Sequence, residues 1–198
     1  MGILMSKSIC IVDGHPDPAG GHFVNALADA YATGAQAGGH KISRIEIGKL
    51  ALTFLSNAEA FACDPGPDIV AERQKMAEAD HVVMIYPLWM GTMPAALKAF
   101  IELAACGGFF LDTGGDSSAW PAQKMKGKSA RLIVTMGMPS AAYRLIFGGH
   151  SVKGVEQGIL KISGFGPVRH TILGGVGGAA KIRAKMLTKI EAMGEAGR

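Results

Sequence analysis

The chain has 198 residues, 48% of them hydrophobic and 18% charged, with a formal net charge of +4; this excludes a disordered or coiled-coil protein and implies one well-buried domain over residues 1–198. The longest uncharged stretch, His81 to Leu97, contains Pro87, Gly91 and Pro94, so it cannot run as a straight helix across a bilayer and no stable membrane insertion is expected. Cys10, Cys63 and Cys106 are odd in number and never spaced as CxxC, which argues against a disulfide framework or a bound metal, and the basic residues lack interleaved aromatics, which argues against nucleic acid but leaves phosphate-bearing small molecules.

The opening Met1-Gly-Ile-Leu-Met-Ser6 is too brief for a secretion signal and points to a cytoplasmic protein. Gly2 and Ser6 fit a loose myristoylation pattern, but a short extension before the first strand is the simpler reading. Ser8 to Asp13 is an apolar, β-rich run ended by Gly14-His15-Pro16, as in a strand buried on both faces. Phe23, Leu27, Ala30 and Gly34 recur at helical spacing until Gly38-Gly39. Ile42 to Ile47 fits a second strand near an edge, and residues 48–68 read as loop. A helix over 69–79 leads to a buried strand at His81 to Tyr86, and a third helix opens at Pro94 with Leu97, Ile101 and Ala104 on one face. Residues 106–128, rich in turn glycines such as Gly114 and Gly115, hold no sustained period and form a long loop of the functional kind. Arg131 to Thr135 is a fourth strand, Val152 to Ile162 a helix, Val168 to Leu173 a fifth strand, and Ile182, Met186, Ile190 and Met193 mark the closing helix.

Strands alternating with helices predict an α/β protein: a flavodoxin-like, doubly wound, five-stranded parallel sheet of order 2-1-3-4-5 with helices on both faces. In such sheets a ligand sits beyond the carboxyl ends of the strands, at the segments after Asp13, Tyr86 and Thr135. Two phosphate-loop look-alikes drop out: Ala122 to Ser129 runs into a strand rather than a helix, and Gly175 to Ala180 has no further βαβ unit behind it. Neither GxSxG nor HExxH occurs.

Gly14-His15-Pro16-Asp17-Pro18 with Gly20-Gly21-His22-Phe23 lies between the first strand and the first helix. Glycines there let backbone N–H groups face an anion at a helix start, and His15 or His22 can donate to a phosphate oxygen. Pro87-Leu88-Trp89-Met90-Gly91 follows the third strand and offers a wall for a flat aromatic ring. Thr135-Met136-Gly137-Met138, with Tyr143 and His150 downstream, is a second glycine-containing loop converging on the same crevice.

These segments resemble the flavodoxin-like NAD(P)H:quinone oxidoreductases, including the modulator-of-drug-activity B type and the ancillary oxidoreductases of potassium-efflux systems. The resemblance rests on Gly14-His15-Pro16, Tyr86-Pro87-Leu88-Trp89, Pro94 to Lys98, Gly108-Phe109, Thr135 to Tyr143, and Gly158-Ile159-Leu160 with Gly164-Phe165. It implies a tightly bound flavin, FMN or FAD, with NAD(P)H as co-substrate and a quinone-like two-electron acceptor. His15, Gly21, His22 and Phe23 would hold the flavin phosphate, and Leu88 to Gly91 with Thr135 to Met138 would enclose the isoalloxazine. Tyr143 and His150 would support charge on the flavin during hydride transfer, Phe109 and Phe110 would wall the substrate pocket, and the protein would be a homodimer. Gly20-Gly21-His22 stands where relatives often carry serine or threonine, so backbone N–H groups would do more of the phosphate binding. A flavodoxin-type electron carrier and a flavin-binding regulatory subunit of a membrane transporter are the alternatives.

Overall fold

In the computed structural model residues 6–112 and 120–198 are described; Gly2 of the N-terminal extension and Gly114 and Gly115 of the expected loop lie outside them. The strands in chain order are β1 (Ser8–Asp13), β2 (Lys41–Glu46), β3 (His81–Pro87), β4 (Leu111–Asp112), β5 (Ala122–Gln123), β6 (Ser129–Met136) and β7 (Val168–Gly174). β4 and β5 make a two-residue antiparallel ladder, and the other five form one parallel sheet, ordered β2-β1-β3-β6-β7. This is the expected order, with β6 and β7 as the fourth and fifth strands.

The helices are α1 (Phe23–Ala37), α2 (Ala58–Ala62), α3 (Pro67–Glu78), α4 (Ala95–Ala105), α5 (Ser140–Ile146), α6 (His150–Val155) and α7 (Ala180–Glu195). Because side chains alternate across a strand, Cys10, Val12, Met84, Tyr86, Leu132 and Val134 pack toward α3, α4 and α6. Ile9, Ile11, Val83, Ile85 and Ile133 pack toward α1 and α7. Central strands buried on both faces explain why their sequences read as unbroken apolar runs. Among the described residues no helix is long and apolar enough to cross a membrane.

Three expectations change. The buried face of α1 is Val24, Leu27, Ala28, Tyr31, Gly34 and Ala35, turned from the stripe read at Phe23 and Ala30, because Gly34 rather than a large side chain meets α7. The 48–68 segment is not all loop: it holds a 3₁₀ turn and α2, a helix that buries nothing and is started by Asn57, whose Oδ1 accepts the Ala60 N–H at 2.8 Å. The helix expected over 152–162 is α6 running into a π-wound stretch, Glu156–Lys161, and α5 stands before it where the sequence predicts a loop.

His81 opens β3 at 4% exposure, its Nδ1 2.7 Å from the Ser129 hydroxyl. Burial, with Lys7 and Arg131 nearby, pushes the imidazole down to about 4. Unfolded His81 takes up a proton near pH 6.5 while the folded one stays neutral until about 4, so stability held above 6.5 is lost as the pH falls through that window. In urea unfolding, the stability gap between wild type and His81→Gln is expected to shrink by about 3 kcal/mol between pH 7.5 and 4. An unchanging gap would show that His81 titrates normally in the fold.

Candidate functional site

β1 ends at Asp13 and the chain leaves the sheet at Gly14, whose amide donates to the Ile85 carbonyl at 2.8 Å. A Cβ there would lie 2.9 Å from both Leu97 and Tyr86, so only glycine lets the loop pass α4 this closely. The buried Asp13 carboxylate accepts from Arg44 at 2.6 Å and from Asn25 at 2.9 Å. An ion pair to β2 and a hydrogen bond to the first turn of α1 thus tie both to the start of the loop.

The His15 ring is stacked on His22 with centroids 3.7 Å apart. His15 Nδ1 accepts the Asp17 amide at 3.2 Å, which leaves the proton on Nε2 as a free donor. Burial and the neighbouring His22 lower the His15 pKa, so this ring donates as neutral imidazole. His22 Nε2 lies 2.7 Å from the Asp17 carboxylate; that contact, with the Ala19 amide, holds Asp17 below the usual carboxylate range. Gly20 and Gly21 both adopt left-handed φ, with open space where a Cβ would stand. They turn the chain into α1, whose first amides have no partner within the helix and present a positive dipole end. A neighbouring hollow of about 250 Å³ is lined by Asp13, Asp17, Asp29 and Glu46 beside Arg44 and Lys49; its carboxylates make it a poor anion site, which leaves that role to the glycines and the start of α1.

Beyond β3 the chain makes a tight reversal. The Leu88 amide donates to the Thr135 carbonyl at 2.7 Å, and Trp89 and Thr92 exchange backbone bonds of 2.8 and 3.0 Å. Met90 and Gly91 form the tip with φ of 46° and 83°. A left-handed methionine costs backbone energy and is the kind of strain that collects at functional sites. Trp89 meets His15 edge-on, centroids 5.6 Å apart, so the first two loops touch.

The third loop completes the enclosure. Leu88, Met90, Gly91, Met136, Gly137 and Met138, with Tyr143, Phe147, His150 and Ser151, surround a cavity of about 410 Å³. A second hollow of about 730 Å³ shares Met90 and Ser151 with it and extends over Trp89, Pro94, Lys98, Val155 and Ile159. Both volumes fall in the range of small-molecule sites. Pro87 and Thr135 sit beneath, paired across β3 and β6.

Tyr143 is buried, its hydroxyl 2.9 Å from Ser151 Oγ and accepting the Val152 amide at 3.4 Å. When Ser151 donates to it, the phenol proton is free for a group in the cavity. His150 lines the same cavity from the exposed side, its ring folded over Gly148. Ser151 and Phe147 escaped the sequence reading; the signal for Phe147 was its position four residues after Tyr143, where the two rings stack at 6.4 Å.

Phe109 and Phe110 line neither of these two cavities. Phe110 is 5% exposed in the core, and Phe109 packs against that core with the Arg73 guanidinium 4.8 Å above its ring. Met90 and Phe147 of the cavity wall are exposed, as are Leu145 and Ile146 next to Phe147 in the chain.

The profile of a protein family described by its flavodoxin-like fold matches residues 7–195. The chain is 31% identical over 126 residues to a ribosyldihydronicotinamide dehydrogenase-like protein of Penicillium crustosum, covering 61% of this chain and 44% of that one. It is 33% identical over 103 residues to NAD(P)H dehydrogenase [quinone] 1 of Rattus norvegicus, covering 50% and 36%. It therefore spans less than half the length of these curated relatives. The NAD(P)H:quinone oxidoreductase of Methanothermobacter marburgensis superposes with a TM-score of 0.78 at 21% identity, over 96% of this chain and 98% of that one, which is a likeness of fold.

Proposed function

The chain belongs to the flavodoxin-like fold family, and from that premise we propose that it is a flavin-dependent NAD(P)H oxidoreductase. It would pass a hydride from NAD(P)H by way of flavin N5 to a quinone-like two-electron acceptor. The observation that carries this reading is the junction of the loops after β3 and β6 around the cavity of about 410 Å³, with the glycine-rich loop after β1 joined to them where His15 meets Trp89. The residues fit the group: Gly20, Gly21 and Gly137 leave open the space that side chains would fill, and the cavity wall is apolar with a few convergent polar atoms.

The bound flavin supplies the redox chemistry; the protein supplies binding, orientation and electrostatics. The α1 amides and His15 Nε2 would hold the phosphate. Leu88 to Gly91 and Thr135 to Met138 would sandwich the ring system and exclude water. Tyr143, freed to donate by Ser151, and His150 would face the ring edge where negative charge accumulates on reduction. A preorganised donor aimed at developing charge is worth about 2.7–4 kcal/mol. Tyr143→Phe is accordingly expected to slow reduction by NAD(P)H about a hundredfold, with a much smaller change in flavin affinity. Stopped-flow reduction at the wild-type rate would remove Tyr143 from the mechanism.

The exposed apolar rim of Met90, Leu145, Ile146 and Phe147 is the surface a second copy of the chain would cover, making a homodimer with the site at its seam. The direct test loads purified protein with FMN or FAD, records the visible spectrum and sedimentation, then adds NADPH or NADH with a quinone. Retained yellow flavin, a dimer and acceptor-dependent oxidation are expected. A protein that keeps no flavin overturns the assignment, and a monomer overturns the seam.

A further inference from the structure

At the amino-terminal edge of the sheet, β3, β6 and β7 begin around a hollow of about 120 Å³ lined by Lys7, His81, Ser129, Arg131, Arg169 and Arg198. β6 runs eight residues from this edge toward the candidate active site, which at about 3.3 Å each puts the two about 25 Å apart. None of the lining side chains is acidic. Asp80, next to His81 in the chain, already accepts the Ser8 amide at 2.8 Å. Among the described residues, Lys7, Arg131, Arg169 and Arg198 make no ion pair.

Arg131 and Arg169 are direct partners on β6 and β7, an arrangement of like charges that destabilises a sheet unless something offsets it. Two of the lining groups are also unsatisfied. Arg131 is 6% exposed and spends Nη1 on the Thr171 hydroxyl at 2.8 Å, but its Nε is buried without a partner. His81 uses Nδ1 on Ser129, and its Nε2 is likewise buried and unpartnered. Buried polar atoms left alone are uncommon and call for a specific explanation.

We infer that this hollow binds a compact phosphate-type oxyanion, either inorganic phosphate or the terminal phosphate of a small metabolite. Arg131 and His81 Nε2 form its floor, and the more exposed Arg169 and Arg198 close over it. Its size admits one such group and not a flavin or a nucleotide. The cations come from four separate segments, an array suited to a tetrahedral, multiply charged ligand. Charge-assisted bonds from guanidinium to phosphate are roughly twice as strong as neutral ones. The assignment is independent of the proposed redox activity.

The test follows the histidine-ring NMR signals of labelled protein while sodium phosphate, or in a second arm glycerol phosphate, is added at constant ionic strength. The expected result is a saturable shift of the His81 ring at millimolar ligand and a rise in thermal midpoint. Arg169→Gln/Arg198→Gln is expected to weaken saturation about tenfold or more while raising the midpoint in phosphate-free buffer, because the repulsion between Arg131 and Arg169 is relieved. Tighter binding in the second arm identifies an organic phosphate ester; tighter binding in the first identifies the free ion. A response that never saturates, that is identical in the double variant, or that is confined to His15 and His22 overturns the inference.

Discussion

Gly34→Ala is expected to lower the unfolding free energy by about 3 kcal/mol or more, enough to cripple a domain of this size. α1 and α7 touch backbone to backbone: a Cβ on Gly34 would stand 1.9 Å from the Glu191 carbonyl oxygen, and one on Gly194 would stand 2.1 Å from that of Tyr31. Neither obstacle is a flexible side chain, so relief requires the helices to separate. Separation uncovers Ile9, Ile11, Val83, Ile85 and Ile133, the face that these helices close. Gly154→Ala in α6 is the control, since a Cβ there meets nothing within 4 Å; it should be neutral or stabilising by up to about 1 kcal/mol. Urea unfolding of the two variants beside wild type decides the matter, and equal midpoints for Gly34→Ala and wild type would disprove the close packing.

Gly137→Phe should do the opposite: keep the fold and lose the ligand. A Cβ at Gly137 meets nothing within 4 Å, and the position carries no left-handed φ, so the new side chain grows into the cavity rather than into the core. A benzyl group in a space of about 410 Å³ takes the volume that a planar ring would need. Flavin affinity is expected to fall about a hundredfold or more, some 2.7 kcal/mol or greater, while the thermal midpoint of the unloaded protein moves little. Equilibrium dialysis with FMN and FAD measures the first quantity and circular dichroism the second. Stoichiometric retention of flavin would place the ring elsewhere.

The sheet was legible because β1, β3 and β6 are covered on both faces, which leaves an unbroken apolar signature that flanking glycines and prolines delimit. The loops of the candidate site were legible for a related reason: in a parallel sheet everything after a strand's carboxyl end falls on one rim. What escaped is what burial does not mark. α2 buries nothing, and α5 buries Tyr143 while leaving Leu145 and Ile146 exposed, so neither shows an inward stripe. The Tyr143–Ser151 pairing crosses the left-handed turn at Gly148-Gly149, and no period connects its partners. The basic hollow is assembled by register: its cations are scattered along the chain, and of the basic run Lys124, Lys126, Lys128 and Arg131 only the last lines it.

The π-wound stretch Glu156–Lys161 carries Gly158 and Ile159 along the larger hollow. One surplus amino acid within an otherwise regular coil produces that winding, and each residue of an α-helix advances by about 100°. Losing a single codon here would therefore swing Ile159 away from the hollow it lines while barely disturbing the β-layer. Insertion and deletion, rather than point replacement, are the economical route by which descendants of this chain would widen or narrow the range of molecules that this hollow admits.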